Sequence, residues 1–156
     1  MLIREINEQE SLTLLGGLRL GRLACAKGAQ PYVTPFYFVP NSNYLYSFGT
    51  VGQRIDWMRA NPLVCVEADR IVSPQEWTSV IIFGHFEEMP DTEEWRLQRA
   101  VAHELLQVRP MWWEPGYAKT IVHGASRPMD PIYFRIQIAK ITGRCGIPDA
   151  AEGTHK

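Results

Sequence analysis

The chain has 156 residues, enough for one domain with a full core and too few for two. Apolar residues make up 46%, which excludes wholesale disorder. Sixteen basic and 17 acidic residues give a net charge of −1 with no basic block, so nothing recommends nucleic acid as a partner.

The N-terminal segment Met1 to Glu8 mixes acids with apolar residues and lacks the long apolar core of a signal peptide. No apolar run is long enough to span a bilayer, so no membrane partner is expected. Three widely spaced cysteines, Cys25, Cys65 and Cys145, form no CxxC pair and suit a reducing cytoplasm.

Residues 8–17 predict a short helix stopped at Gly16-Gly17. Arg19 to Lys27 and Pro31 to Val39 predict strands joined by the turn Gly28-Ala29-Gln30. A second turn, Pro40 to Asn43, leads into a third strand, Tyr44 to Phe48, and the three runs suggest an antiparallel meander. Pro31 and Pro35 cannot donate to a ladder, so one edge of their strand faces solvent, a bulge or a ligand.

The next turn is the most informative part of the chain. Thr50 stands three residues before Gln53, which is capping-box spacing, and Val51, Ile55 and Met58 make one apolar stripe. Asn61-Pro62 stops this helix. Ser47, Thr50, Gln53 and Arg54 suit an oxyanion, and a helix N-terminus favours phosphate. An ordinary capped helix with solvated polar groups is the plainer reading of the same residues.

Leu63 to Ala68 predicts a fourth strand, Asp69 to Glu76 a polar loop, and Trp77 to Met89 a long fifth strand with Gly84 at a bulge or close approach. Trp77 and Ser79 either flank a ring system or are a core tryptophan beside a solvated serine. Asp91 with Glu94 predicts a second helix carrying Leu97, Val101, Leu105 and Val108, ended by Pro110. Met111 to Asp130 is irregular and opens with the aromatic run Met111 to Tyr117, which suits either a ligand lid or a plug for the barrel end. Ile132 to Ile141 alternates as the sixth strand, and Gly143 to Lys156 reads as a tail. The whole is one domain over residues 1–146, mainly β with short helices, a small six-stranded barrel, with a mobile C-terminal tail at 147–156.

Among His85, His103, His123 and His155 no metal-binding spacing occurs, so no metal is expected. His85 follows Gly84 and is the candidate proton donor, against the alternative of a hydrogen-bonded structural histidine. No GxSxG, Walker or Rossmann pattern is present.

Gly21-Arg22-Leu23-Ala24, Pro31-Tyr32-Val33-Thr34-Pro35, Leu45-Tyr46-Ser47, Gly52 to Pro62, Trp77-Thr78-Ser79-Val80 with Gly84, and Phe134 to Ile138 with Thr142-Gly143-Arg144 occur in an order that resembles the pyridoxamine 5′-phosphate oxidase-like flavin-binding split barrels. Within them the chain looks most like the nitroimidazole-resistance reductase branch. The resemblance implies a homodimer with FMN at its interface, FAD or a deazaflavin being the alternatives. It implies that Val33, Thr34, Pro35 and Phe36 lie along the flavin ring, partly through main-chain groups. Tyr46 and Ser47 would reach the ribityl-phosphate, Gln53 and Arg54 would hold the phosphate, and Ser79 would approach the ring with Trp77 beside it. Gln53 stands where the family commonly carries a basic residue. The activity implied is reduction of a small organic acceptor, such as a nitro compound, by a nicotinamide donor. The other readings are a flavin-storage or sensing module without turnover, a haem-binding relative, and a B6 oxidase. The chain lacks the tryptophan-bearing, arginine-rich C-terminal signature of the last.

Overall fold

Alternation of apolar and polar residues gives the long strands one dry and one wet face, and the register of pairing keeps those faces aligned. The computed structural model describes residues 1–107, 120–122, 125–127 and 131–149. Its strands are β1 (Leu2–Ile6), β2 (Leu20–Lys27), β3 (Gln30–Tyr37), β4 (Val39–Asn41), β5 (Tyr44–Gly49), β6 (Leu63–Ser73), β7 (Glu76–Glu88), β8 (Thr120–Val122), β9 (Ala125–Arg127) and β10 (Ile132–Ile147). The helices are α1 (Glu8–Gly16), α2 (Gln53–Ala60) and α3 (Arg96–Leu106).

Eight strands form one antiparallel sheet in the order β3-β2-β6-β7-β10-β5-β4, with β1 beside the far half of β10; β8 pairs with β9 separately. The two ends of that order are consecutive in the chain. β3 passes through Phe38 into β4, so the sheet curls on itself and closes as a barrel with a seam between β3 and β5. Phe38 N–H donates to the Arg19 carbonyl at 2.9 Å and fixes the bend.

The dry faces meet inside. Phe36, Phe38 and Phe134 stack with centroids 5.5 and 6.1 Å apart, and all three are fully buried. Each such burial contributes about 1.5–3 kcal/mol. α2 closes one end by placing Ile55 and Met58 in this core. α3 packs outside β5, where Ala102 and Leu106 meet Tyr37, Tyr46 and Phe48.

The expected helix over 8–17 and the six expected strands are present, and two more strands join the sheet. β1 pairs with Gly143–Ile147, a stretch expected in the tail, so β10 runs to Ile147. The polar loop 69–76 is instead a two-strand ribbon, because Asp69–Ser73 pairs with Glu76–Ser79. The expected meander is broken, since β5 pairs with β10 and β4 rather than with β3. α2 starts at Gln53 after an extended Gly52, with no side-chain cap, so Thr50 is not its cap. Asp91 likewise caps nothing: a 3₁₀ turn at Glu93–Trp95 precedes α3, whose Leu97 and Val101 are exposed. The irregularity near Gly84 lies in β10, between Ile138 and Lys140. Val108, the aromatic run Met111 to Tyr117, His123 and residues 150–156 lie outside the described residues. No described helix is long and apolar enough to cross a membrane.

Candidate functional site

The seam between β3 and β5 is bridged by side chains where the backbones part. Pairing of β4 with β5 ends at Val39 and Tyr46. One residue on, the buried Ser47 hydroxyl donates to the Tyr37 carbonyl at 2.6 Å. At the mouth of the seam Arg54, in the first turn of α2, donates to the Pro35 carbonyl at 3.2 Å and the Thr34 hydroxyl at 3.3 Å. Its guanidinium also lies 5.9 Å from the Phe134 ring centroid. Gly49 makes room for it: a Cβ there would stand 2.8 Å from Arg54 Nη2.

Beside this arginine the outer edge of β3 carries no partner strand among the described residues, as Pro31 and Pro35 require. The α2 N-terminus has no side-chain cap, and Gln53 next to Arg54 is exposed. A guanidinium, a helix N-terminus without a side-chain cap among the described residues, and a strand edge that pairs with no described strand thus converge. That donor set fits a phosphate with an attached ring that lies along main-chain groups.

Period-two geometry divides the remaining expected residues. Val33 and Pro35 are exposed on the outer face, while Thr34 and Phe36 point inward, with Phe36 fully buried. Phe36, wholly buried, offers a ligand no open surface. Tyr46 and Ser47 lie on opposite faces of β5: Tyr46 packs toward α3, and Ser47 spends its proton inside the seam.

Trp77 and Ser79 stand elsewhere, on the outer face of β7. They line a groove of 530 Å³ with Glu5, Ile81, Phe83, Thr142 and Arg144. Trp77 lies over Gly146, where a Cβ would come within 2.6 Å of its Nε1. β2 and β6 separate β7 from β3, three strand spacings or about 14 Å. His85 is exposed on the same face as Ser79 but six residues along, about 20 Å away. The structure therefore brings Arg54 to Thr34 and Pro35, brings Trp77 to Ser79, and leaves His85 with neither.

Glu67, which the sequence reading passed over, joins the second group. Ser79 Oγ donates to Glu67 Oε1 at 3.2 Å. Arg22 faces Glu67 at 3.8 Å and Asp69 at 3.6 Å. Burial, then the charge of Asp69, pushes the Glu67 carboxyl above its ordinary range, against the Ser79 hydrogen bond and Arg22. A lone acid inside the apolar run Leu63 to Ala68 was the available signal. Burial pushes the Cys25 and Cys65 thiols up as well, which disfavours the nucleophilic thiolate.

Comparison with known proteins bears on this arrangement. Residues 7–145 match the family described as pyridoxamine 5′-phosphate oxidase. An uncharacterized protein of Rhizobium meliloti (strain 1021) is 35% identical over 144 residues, covering 92% of this chain and 95% of that protein. The crystal structure of a FAD-binding protein from Mesorhizobium loti is 37% identical, covers 95% of this chain and 99% of its own, and superposes with a TM-score of 0.78. The fold alone recurs, at 14% identity and a TM-score of 0.62, in a Bacteroides thetaiotaomicron structure named for 5-nitroimidazole antibiotic resistance. There the match covers 93% of this chain and 89% of the other.

Proposed function

Because the chain belongs to the pyridoxamine 5′-phosphate oxidase family, we propose that it binds a flavin nucleotide with its phosphate on Arg54 and the α2 N-terminus, and that it works as an oxidoreductase. The observation that carries this reading is the seating of Arg54 against Thr34, Pro35 and Gly49 at the mouth of the seam. Bound flavin supplies the electron-transfer chemistry. The chain's own residues position it: Arg54 and Gln53 hold the phosphate, and the free edge of β3 offers main-chain groups to the ring.

FMN is our first choice, because Arg54 is the one arginine of this turn and suits a single phosphate. FAD is supported by the Mesorhizobium loti relative. The acceptor we propose is a small organic molecule, a nitro compound among them, and the donor a nicotinamide. The absorption spectrum of the purified protein, before and after NADH or NADPH, tests this reading. A bound flavin that bleaches on addition supports it, and a protein that takes up neither FMN nor FAD overturns it.

A homodimer fits the separation of the two groups of site residues, since a second copy can bring a Trp77–Ser79 groove toward an Arg54 seam. The outer face offers a suitable surface. Val33, Ala24, Cys65 and Phe83 form one cross-strand row of apolar or small residues, with Val33 and Phe83 exposed. Ala24→Arg would place a charge in this row, and light scattering should then find a monomer where the parent chain is dimeric. Three free cysteines suit the cytoplasm as its compartment.

A further inference from the structure

The carboxylates that the structure fixes as anions differ from Glu67. Glu88 takes two guanidinium bonds from Arg59, at 2.7 and 2.8 Å, and Glu10 takes two from Arg4, at 3.0 and 3.4 Å. Glu67 has no such partner among the described residues. Arg22 is shared between Glu67 and Asp69 at 3.8 and 3.6 Å, beyond hydrogen-bond reach of either. The group hydrogen-bonded to Glu67 is the Ser79 hydroxyl, and Ser79 lines the groove while Glu67 stands on the neighbouring strand β6. A hydroxyl both donates and accepts, so Ser79 can pass a proton between this carboxyl and whatever occupies the groove.

We propose that Glu67 and Ser79 form a two-member proton relay that exchanges one proton with a ring nitrogen of the flavin held against this groove. The proposal rests on the flavin reading and on the homodimer in which a second copy's Arg54-bound flavin reaches this groove. In the delivering direction the Glu67 carboxyl O–H breaks as its proton moves to Ser79 Oγ. The original Ser79 proton leaves to the nitrogen lone pair, where an N–H bond forms. Glu67 is left a carboxylate facing Arg22, and no electrons pass between the protein groups. Its side chain is 30% exposed, so solvent can reprotonate it. The burial and the Asp69 charge that push its titration up keep it a donor above the range of an ordinary glutamate.

The groups that face Glu67 are Asp69 on its own strand, Arg22 on β2 and Ser79 on β7. Cys65 shares its strand face, and Arg144 is the β10 partner of Ser79, paired with Glu5 at 3.7 Å. Asp69 stands opposite Ser79 in the β6–β7 register and acts on Glu67 through its charge, so Asp69→Asn is the electrostatic control.

The test uses the flavin-loaded protein and two readouts. One is the reduction potential of the bound flavin against pH, and the other is the rate of proton uptake when that flavin is reduced chemically in a single turnover. Glu67→Gln should remove the break in the potential profile that Glu67 titration produces, whereas Asp69→Asn should move the break to lower pH. Glu67→Gln and Ser79→Ala should each slow proton uptake on the order of 10²-fold, and Ser79→Thr should restore it. Bound flavin with an unchanged profile in Glu67→Gln and unchanged uptake in Ser79→Ala overturns the relay and leaves the flavin reading standing. If Glu67→Gln does not fold, uptake in Ser79→Ala against Ser79→Thr decides alone. A wild-type chain that takes up neither FMN nor FAD overturns both.

Discussion

Arg54 Nη1 donates to the carbonyl oxygen of Pro35 at 3.2 Å, across the seam where β3 and β5 separate. Proline gives β3 a free edge, and the carbonyl of that same proline then anchors the cation beside it. One contact thus ties the closure of the barrel to the group that would hold a phosphate.

Gly49→Ala tests how closely the seam is fitted. The added methyl would stand 2.8 Å from Arg54 Nη2, the far end of a flexible side chain, so the guanidinium can swing away. Stability should change little, while FMN affinity falls through displacement of the arginine. Parallel thermal melts and flavin titrations check this, and unchanged affinity would show that Arg54 has latitude at the site.

The Arg59–Glu88 pair clamps the last turn of α2 to β7. Its bonds hold the Glu88 carboxyl below the ordinary value of 4.5, so the folded state binds that proton less readily than the unfolded state. The pair's contribution is therefore present above pH 4.5 and is lost as pH falls through the lowered value. Arg59 is 42% exposed, which limits the contribution to below about 1 kcal/mol. Glu88→Gln should be slightly less stable at pH 7 and lose less stability than wild type on acidification. Denaturant melts at pH 7 and pH 3 check the sign.

Arg135 lies 3.9 Å from the centroid of the Tyr44 ring and 5.4 Å from that of Trp95, and its Nε bonds Glu87 at 2.6 Å. It joins β10, β5, β7 and the turn before α3. Arg135→Ala would leave Glu87 without this partner and take the cation from between two rings. A loss of about 2–3 kcal/mol is expected in urea melts, with Arg135→Lys keeping part of it.

At Gly84 the packing of β7 against β10 leaves no room for a side chain. A Cβ there would come within 2.4 Å of Ile136 Cγ2 and 2.8 Å of the Gln137 carbonyl, and the latter is backbone that cannot turn aside. Gly84→Ala should cost about 1–3 kcal/mol, read as a lower urea midpoint at unchanged slope.

Local chemistry made much of this legible in the sequence. The two prolines announced the free edge of β3, and alternation announced the long strands. Less legible was whatever depends on distant pairing. β1 shows weak alternation and becomes a strand because Gly143–Ile147 lies beside it, some 140 residues away. Thr50 had capping-box spacing, yet an extended Gly52 delays the helix and leaves it without a side-chain cap. Tyr46 and Ser47 are neighbours in sequence but point to opposite faces, so one segment cannot present both side chains to one ligand. The Glu67–Ser79 contact follows from the β6–β7 register, which sets Asp69 opposite Ser79 and leaves Glu67 one diagonal step away. Nothing within either strand alone indicates it.

The central claim is that Arg54 holds the phosphate of a flavin nucleotide. The most direct measurement is titration of FMN and of FAD into the apoprotein and into Arg54→Ala, followed by flavin fluorescence. Binding by the parent chain, weakened in Arg54→Ala by about 1.5–3 kcal/mol with the fold intact, is the predicted result. Equal affinity in the two proteins would contradict the assignment.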